Sequence, residues 1–202
     1  TLHNADVQRG DLGEQYDVIL FQAQDAESIL EGYASGEVPP DYAGGIGARG
    51  ADALRAFVRE GGRLVGVEES AEFVAELLGL PVENAVAGLS DIDFYIPGSI
   101  LRLELDPQSS LSRDLDPEGV AWFWRSSMAF EVNDPSVRVS ARYGAGDPLL
   151  SGWVLGGEHV AGEPAIVEAD VGEGSVVLFG FQPNYRAQTV ATWPLLFNAL
   201  AR

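Results

Sequence analysis

Three short apolar runs, at 16–21 (YDVILF), 63–67 (RLVGV) and 175–181 (SVVLFGF), are bounded by polar or turn residues and do not alternate with polar residues internally. Unbroken β-branched runs of this length read as strands buried on both faces, which requires helices above and below the sheet and favours parallel pairing. The residues between the first two runs carry helical patterns. Asp25 is placed to cap a short helix with Ile29, Leu30 and Tyr33 on one face, closed by Gly36 before Pro39. A glycine-rich entry, Gly44-Gly45-Ile46-Gly47, then precedes a helix with Leu54, Phe57 and Val58 on its inner face and Gly61 at its stop. After RLVGV, residues 71–78 carry Phe73, Val74, Leu77 and Leu78 as an apolar stripe that ends at Gly79-Leu80-Pro81. This strand-helix rhythm predicts an α/β domain with a largely parallel sheet and right-handed crossovers.

From about 82 to 151 the texture changes to Pro, Gly and Asp turns between short aromatic or alternating runs, LRLEL at 101–105, VAWFW at 120–124 and VRVSARY at 137–143. Strands and hairpins account for that pattern, so a β-rich insertion is expected there. The α/β pattern resumes with PAIVE at 164–168, a turn at Gly172-Glu173-Gly174, the SVVLFGF strand, and a last helix with Pro194 in its first turn. Residues 1–15 are expected to be a linker or residual N-terminal segment, and 16–202 one domain. The polar start also suggests a piece cut from a longer protein, with an upstream strand and helix missing or replaced by residues 1–10.

Composition limits the chemistry. A formal charge of −19 repels nucleic-acid backbones, and the 12 basic residues, all arginine, form no stripe. With no lysine there is neither Schiff-base chemistry nor a phosphate-loop lysine. With no cysteine there are no disulfides, thiolate nucleophiles or cysteine-bound metals. His3 and His159 lie far apart and belong to no ligand pattern, so no metal or other cofactor is expected in this domain. No apolar stretch is long enough for a transmembrane segment.

The most informative motif is Gly66-Val67-Glu68-Glu69-Ser70, where a strand passes into a helix with small residues two positions either side of Glu68. That is the shape of a nucleophile elbow, a sharp turn that holds its central side chain above the sheet edge. The same acids also suit a helix N-terminus, where the dipole favours negative charge. Gln182, Asn184, Tyr185 and Arg186 leave the SVVLFGF strand directly, and polar groups past the carboxyl ends of parallel strands are where such sheets bind ligands. Glycines 44, 45 and 47 read as backbone geometry ahead of a helix, with anion binding by their amides a lesser alternative. The pairs Asp91/Asp93 and Asp114/Asp116 read as turn residues.

The segments YAGGIGARGADALRAFVREGG at 42–62, PGSILRLELD at 97–106 and GEGSVVLFGFQPNYRAQTVATWPLLFNAL at 172–200 resemble the domain attached C-terminally to some bacterial zinc carboxypeptidase-like (peptidase M14) proteins. That domain has the class I glutamine amidotransferase-like fold. The resemblance implies a three-layer, flavodoxin-like α/β architecture with a mostly parallel sheet. Catalytic members of the wider superfamily carry cysteine at the elbow and histidine after a late strand; here the matching positions are Glu68 and Gln182. It implies a non-catalytic accessory, regulatory or ligand-binding domain with a degenerate amidotransferase site. Its partner would be an intramolecular carboxypeptidase-like domain, with zinc only in that absent domain, a small polar ligand as a further partner, and a secreted or extracytoplasmic setting. The competing reading is a hydrolase that uses Glu68, Glu69 or Ser70. If the resemblance holds, Glu68 and Gln182 line one depression, with Glu69, Asn184, Tyr185 and Arg186 on its rim and no metal between them.

Overall fold

The computed structural model describes residues 1–187 and 189–201. Its elements in chain order are α1 (Asn4–Arg9), β1 (Val18–Phe21), α2 (Ala26–Leu30), α3 (Gly47–Arg59), β2 (Arg63–Val67), α4 (Glu69–Leu78), β3 (Val82–Asn84), β4 (Ser99–Leu105), β5 (Glu118–Phe123), β6 (Phe130–Val132), β7 (Val137–Tyr143), β8 (Leu149–Ser151), β9 (Pro164–Val171), β10 (Gly174–Phe179) and α5 (Trp193–Leu200).

The architecture is a three-layer, flavodoxin-like α/β fold. Alternate residues of the central strands supply the two layers. Leu64, Val176 and Leu178 pack with Leu54, Phe57 and Val74 of α3 and α4, while Val65, Val177 and Phe179 pack with Leu195, Leu196 and Ala199 of α5. Burial on both faces is why the central strands are apolar throughout.

The sheet runs β1-β2-β10-β9-β7-β4-β5, with β8 paired to β4. Its parallel part is confined to β1, β2 and β10, so less of it is parallel than the sequence rhythm implies. From β9 onward every pairing is antiparallel. The cause is local: Gly172 adopts φ +63 in the short turn joining β9 to β10, and so few residues can close only an antiparallel hairpin, never a parallel crossover. Segment 82–151 supplies β4, β5, β7 and β8 to this same sheet, and a separate β3–β6 ribbon.

The glycine-rich entry has a packing cause. A Cβ on Gly45 would lie 2.2 Å from the Leu30 carbonyl oxygen, so only glycine lets this loop lie against the end of α2. The Gly44 and Ile46 amides donate to the carbonyls of Tyr33 and Ile29, which leaves them engaged rather than available to an anion. Asp25 caps α2 by accepting from the Ser28 amide at 2.8 Å. That helix ends at Leu30, short of the expected Tyr33, because the chain turns at Gly32 (φ +65) to bridge Tyr33 with residues 43 and 44. Residues 1–15 carry α1, which packs on α3 and buries Val7, and Leu12 is buried beside it.

Candidate functional site

The elbow forms because β2 must turn straight into α4. Gly66 permits this: a Cβ there would lie 2.8 Å from the Ala71 Cα and 2.9 Å from the Ser70 carbonyl oxygen. Glu68 occupies the turn at φ 52, ψ −124, a conformation that costs a non-glycine residue about 1–3 kcal/mol. Its amide donates to the Phe179 carbonyl at 2.8 Å, which ties the turn to the carboxyl end of β10.

The Glu68 side chain is completely buried. Its carboxyl accepts from Ser127 Oγ at 2.5 Å, Gln182 Nε2 at 2.7 Å and Ser126 Oγ at 2.9 Å. Glu68 and Gln182, the two residues that the resemblance pairs, therefore touch, 114 positions apart in the chain. Ser70 is also buried, and its hydroxyl accepts from the Val67 amide at 2.8 Å and donates within the backbone, to the Phe21 or Val67 carbonyl at 2.9 or 3.0 Å. No histidine stands in these contacts, and the Glu68 carboxyl and the Ser70 hydroxyl are both buried and engaged in hydrogen bonds.

Segment 124–128 covers the elbow. Ser127 Oγ accepts from the Trp124 amide, the Met128 amide donates to the Gly180 carbonyl, and the Tyr143 hydroxyl donates to the Met128 carbonyl at 2.9 Å. Burial first, and the Glu68 charge second, push the Tyr143 phenol well above its ordinary value of 10.0, which keeps that donor protonated. Ser126 and Ser127 were missed from sequence, where they were two small hydroxyl residues after an aromatic strand.

One of several open depressions lies beside the elbow, not over it. It is a cleft of about 280 Å³ whose lining includes Glu69, Asn84, Tyr95, Trp124, Arg125 and Ser126. Glu68, Gln182, Asn184, Tyr185 and Arg186 do not line it, because segment 124–128 intervenes. Asn184 and Arg186 are exposed; Tyr185 stacks on Trp122 and Trp124, with the Arg186 guanidinium 5.4 Å from its ring centroid. Glu69 is half-buried, and burial, followed by the charges of Glu68, Asp25 and Glu72, raises its carboxyl above the ordinary value. Asp91 faces Arg125 at 3.9 Å, while Asp93 and Asp116 accept local turn hydrogen bonds. Among the described residues no group of three or more histidine, aspartate or glutamate side chains could hold a metal ion, and no helix is long and apolar enough to cross a membrane.

An elbow closing β2, a late-strand glutamine beside it and helices on both sheet faces define the architecture. It is a glutamine amidotransferase-like fold. A GMP synthase-like protein of Thermoplasma acidophilum shares it with a TM-score of 0.57 over 98% of this chain and 76% of its own, at 10% identity. A cytoplasmic protein of Salmonella typhimurium shares it with a TM-score of 0.55 over 98% of this chain and 77% of its own, at 16% identity. A beta-galactosidase from Bacillus circulans sp. alkalophilus matches with a TM-score of 0.54 and 16% identity over 95% of this chain, which spans only 23% of that enzyme. No protein-family model matches the chain, and no curated protein matches it significantly. At these identities the likeness speaks for the fold alone.

Proposed function

We propose that this chain is a non-catalytic accessory domain built on an amidotransferase-like fold, whose former reaction centre has become a structural joint. The observation that carries this reading is the Glu68 carboxyl, fully buried and held by Ser126, Ser127 and Gln182. Thioester chemistry needs a cysteine, and the sequence has none. The finer reading follows the sequence resemblance: the domain positions or regulates a zinc carboxypeptidase-like catalytic domain on the same polypeptide, the zinc belonging to that other domain, in a secreted or extracytoplasmic setting. That one similar fold is a 23% portion of a larger beta-galactosidase is consistent with an accessory role.

The test is direct. Purified chain incubated with glutamine should release no ammonia above a heat-treated blank, and added zinc should elicit no cleavage of C-terminal residues from peptides. Turnover by a clean preparation that disappears in Glu68→Gln would overturn the non-catalytic reading. The partner reading is tested separately, by comparing kcat/KM of a carboxypeptidase-like catalytic domain with and without this domain fused to it; an unchanged value and unchanged stability would reject it.

A further inference from the structure

The two ends of the sheet are finished differently. At one end β5 is covered: Tyr185 stacks on Trp122 and Trp124, and Val190–Thr192 lies against the strand. At the other end β1 pairs with β2 alone. The Arg63 amide donates to the Asp17 carbonyl at 3.0 Å. Backbone groups alternate in direction along a strand, so Asp17, Ile19 and Phe21 face β2, while Val18 and Leu20 each direct an N–H and a C=O away from the sheet. Among the described residues no hydrogen bond is made to those outward groups. Edge strands are usually guarded by a proline, a bulge or a charge, and the VILF of β1 contains none of these.

A groove of about 580 Å³ runs beside that edge, lined by all of β1, by Leu2 and Asn4, and by Gln24 and Ser28 before and within α2. No charged side chain lines it, although 21% of the residues are charged. An ionic ligand therefore finds no partner there. Extended backbone does, because unpaired N–H and C=O groups stand beside half-buried Tyr16, Val18, Leu20 and Phe21, on which side chains can pack. Exposed acids stand at both ends instead: Asp17 just before the strand, and Asp25 and Glu27 where α2 begins. An antiparallel second copy would bring Asp17 of one chain towards Asp25 and Glu27 of the other, in a chain of net charge −19. The charge pattern suits a different partner, neutral in its middle and basic at its ends.

We propose that β1 accepts an added strand from a separate polypeptide, an extended segment that is uncharged and alternately apolar over about four residues and carries arginine or lysine at both ends. Its backbone pairs with Val18 and Leu20, its apolar side chains enter the groove, and its end cations face Asp17 on one side and Asp25 and Glu27 on the other. The edge is remote in role from the elbow, so this stands or falls separately from the non-catalytic reading. The probe is a short, terminally blocked peptide of alternating valine and threonine with arginine at each end, added to the full chain and followed by amide hydrogen exchange. In the free chain the Val18 and Leu20 amides should exchange quickly and those of Ile19 and Phe21 slowly. Saturating peptide should slow the outward pair at least about tenfold, with Kd of about 1 mM or tighter. Glutamate in place of the terminal arginines should weaken binding about threefold or more. Val18→Pro removes one outward N–H at the first residue of an edge strand, where proline is tolerated, and should weaken binding at least about tenfold while the chain stays folded. If that variant does not fold, the same peptide N-methylated along its central residues decides the matter, and it should not bind the parent chain. No saturable binding of the arginine-ended peptide, equal binding of its N-methylated form, tighter binding of the glutamate-ended one, or slowed exchange only at residues other than Val18 and Leu20 would overturn the proposal. A concentration-dependent dimer whose Val18 and Leu20 amides are already protected would overturn it too, giving the edge to a second copy.

Discussion

Replacing Glu68 measures how far its carboxyl holds the elbow together. In Glu68→Ala, Ser126 Oγ, Ser127 Oγ and Gln182 Nε2 lose a common acceptor inside a site with no solvent exposure. A hydrogen bond to a carboxylate contributes about 1.5–3 kcal/mol, so three would sum to well over 4 kcal/mol if they were independent. They are not, because the hydroxyls can re-pair with carbonyls or with water entering the vacated volume, and the desolvation cost of the carboxyl disappears with it. The net loss expected is about 3 kcal/mol. Glu68→Gln keeps the shape, one carbonyl acceptor and an amide that the serine oxygens can receive, and a neutral amide costs less to bury. It should therefore fall within about 1 kcal/mol of the parent. Urea unfolding at pH 7 gives both numbers, provided the slope of the transition is unchanged. A Glu68→Ala protein within about 1 kcal/mol of the parent, or a Glu68→Gln protein as damaged as Glu68→Ala, would refute the reasoning.

Glu69 offers a test by pH. Burial and neighbouring acids raise its carboxyl above the ordinary 4.5, so the folded chain keeps this proton to higher pH than the unfolded chain. Stability falls as pH rises from the ordinary value through the raised one, and Glu69→Gln should remove that fall. Because the group is half-exposed, the gain at pH 7 should be about 0.5 kcal/mol or less, and a lower urea midpoint for the variant would count against it. Asp170 shows the opposite sign: its hydrogen bonds from Arg138, at 2.7 and 3.1 Å, hold it below the ordinary 3.8. That contribution is present above 3.8 and is lost as pH falls through the depressed value. Arg138→Ala should thus cost under about 1 kcal/mol at pH 7, with the difference disappearing in acid. Gly66→Ala should cost about 3 kcal/mol or more, since its methyl would press on the backbone of α4; soluble protein with an unchanged melting temperature would contradict this.

Some of this was legible in the sequence for identifiable reasons. Runs such as RLVGV and SVVLFGF are buried on both faces by α3, α4 and α5, and such burial leaves an unbroken apolar trace. The Gly66/Glu68/Ser70 spacing was readable because the sharp turn restricts which residues fit. Strand direction was less readable: Pro164–Val171 looks the same whether parallel or antiparallel, and only the short glycine turn after it decides the matter. The cover over the elbow left almost no trace. Ser126 and Ser127 contact a residue 58 and 59 positions away, and no local period encodes a side-chain bond of that range. Placing Glu68 and Gln182 at one end of the sheet needed only strand direction, whereas placing Glu68 under a lid needed the path of segment 124–128.

That lid supplies contacts that can hold a strained turn in place. The φ of 52 at Glu68 stores unfavourable energy wherever it occurs, and in an enzyme the strain is tolerated because it presents a nucleophile. Here the same geometry aims a carboxyl at three donors from two other parts of the chain, the segment after β5 and the exit of β10. Those bonds form in a site closed to water, where losing a partner is costly, and together they are of the size needed to offset the strain. The segments they join are further tied by Met128 to Gly180 and by Tyr143 to Met128, so the carboxyl fastens the antiparallel half of the sheet to its parallel half. A small residue at position 68 would relax neither the turn, which Gly66 and the close approach of Ala71 still impose, nor the donors left facing it. The sheet is built through the elbow, so its backbone is fixed by packing whatever side chain stands at position 68.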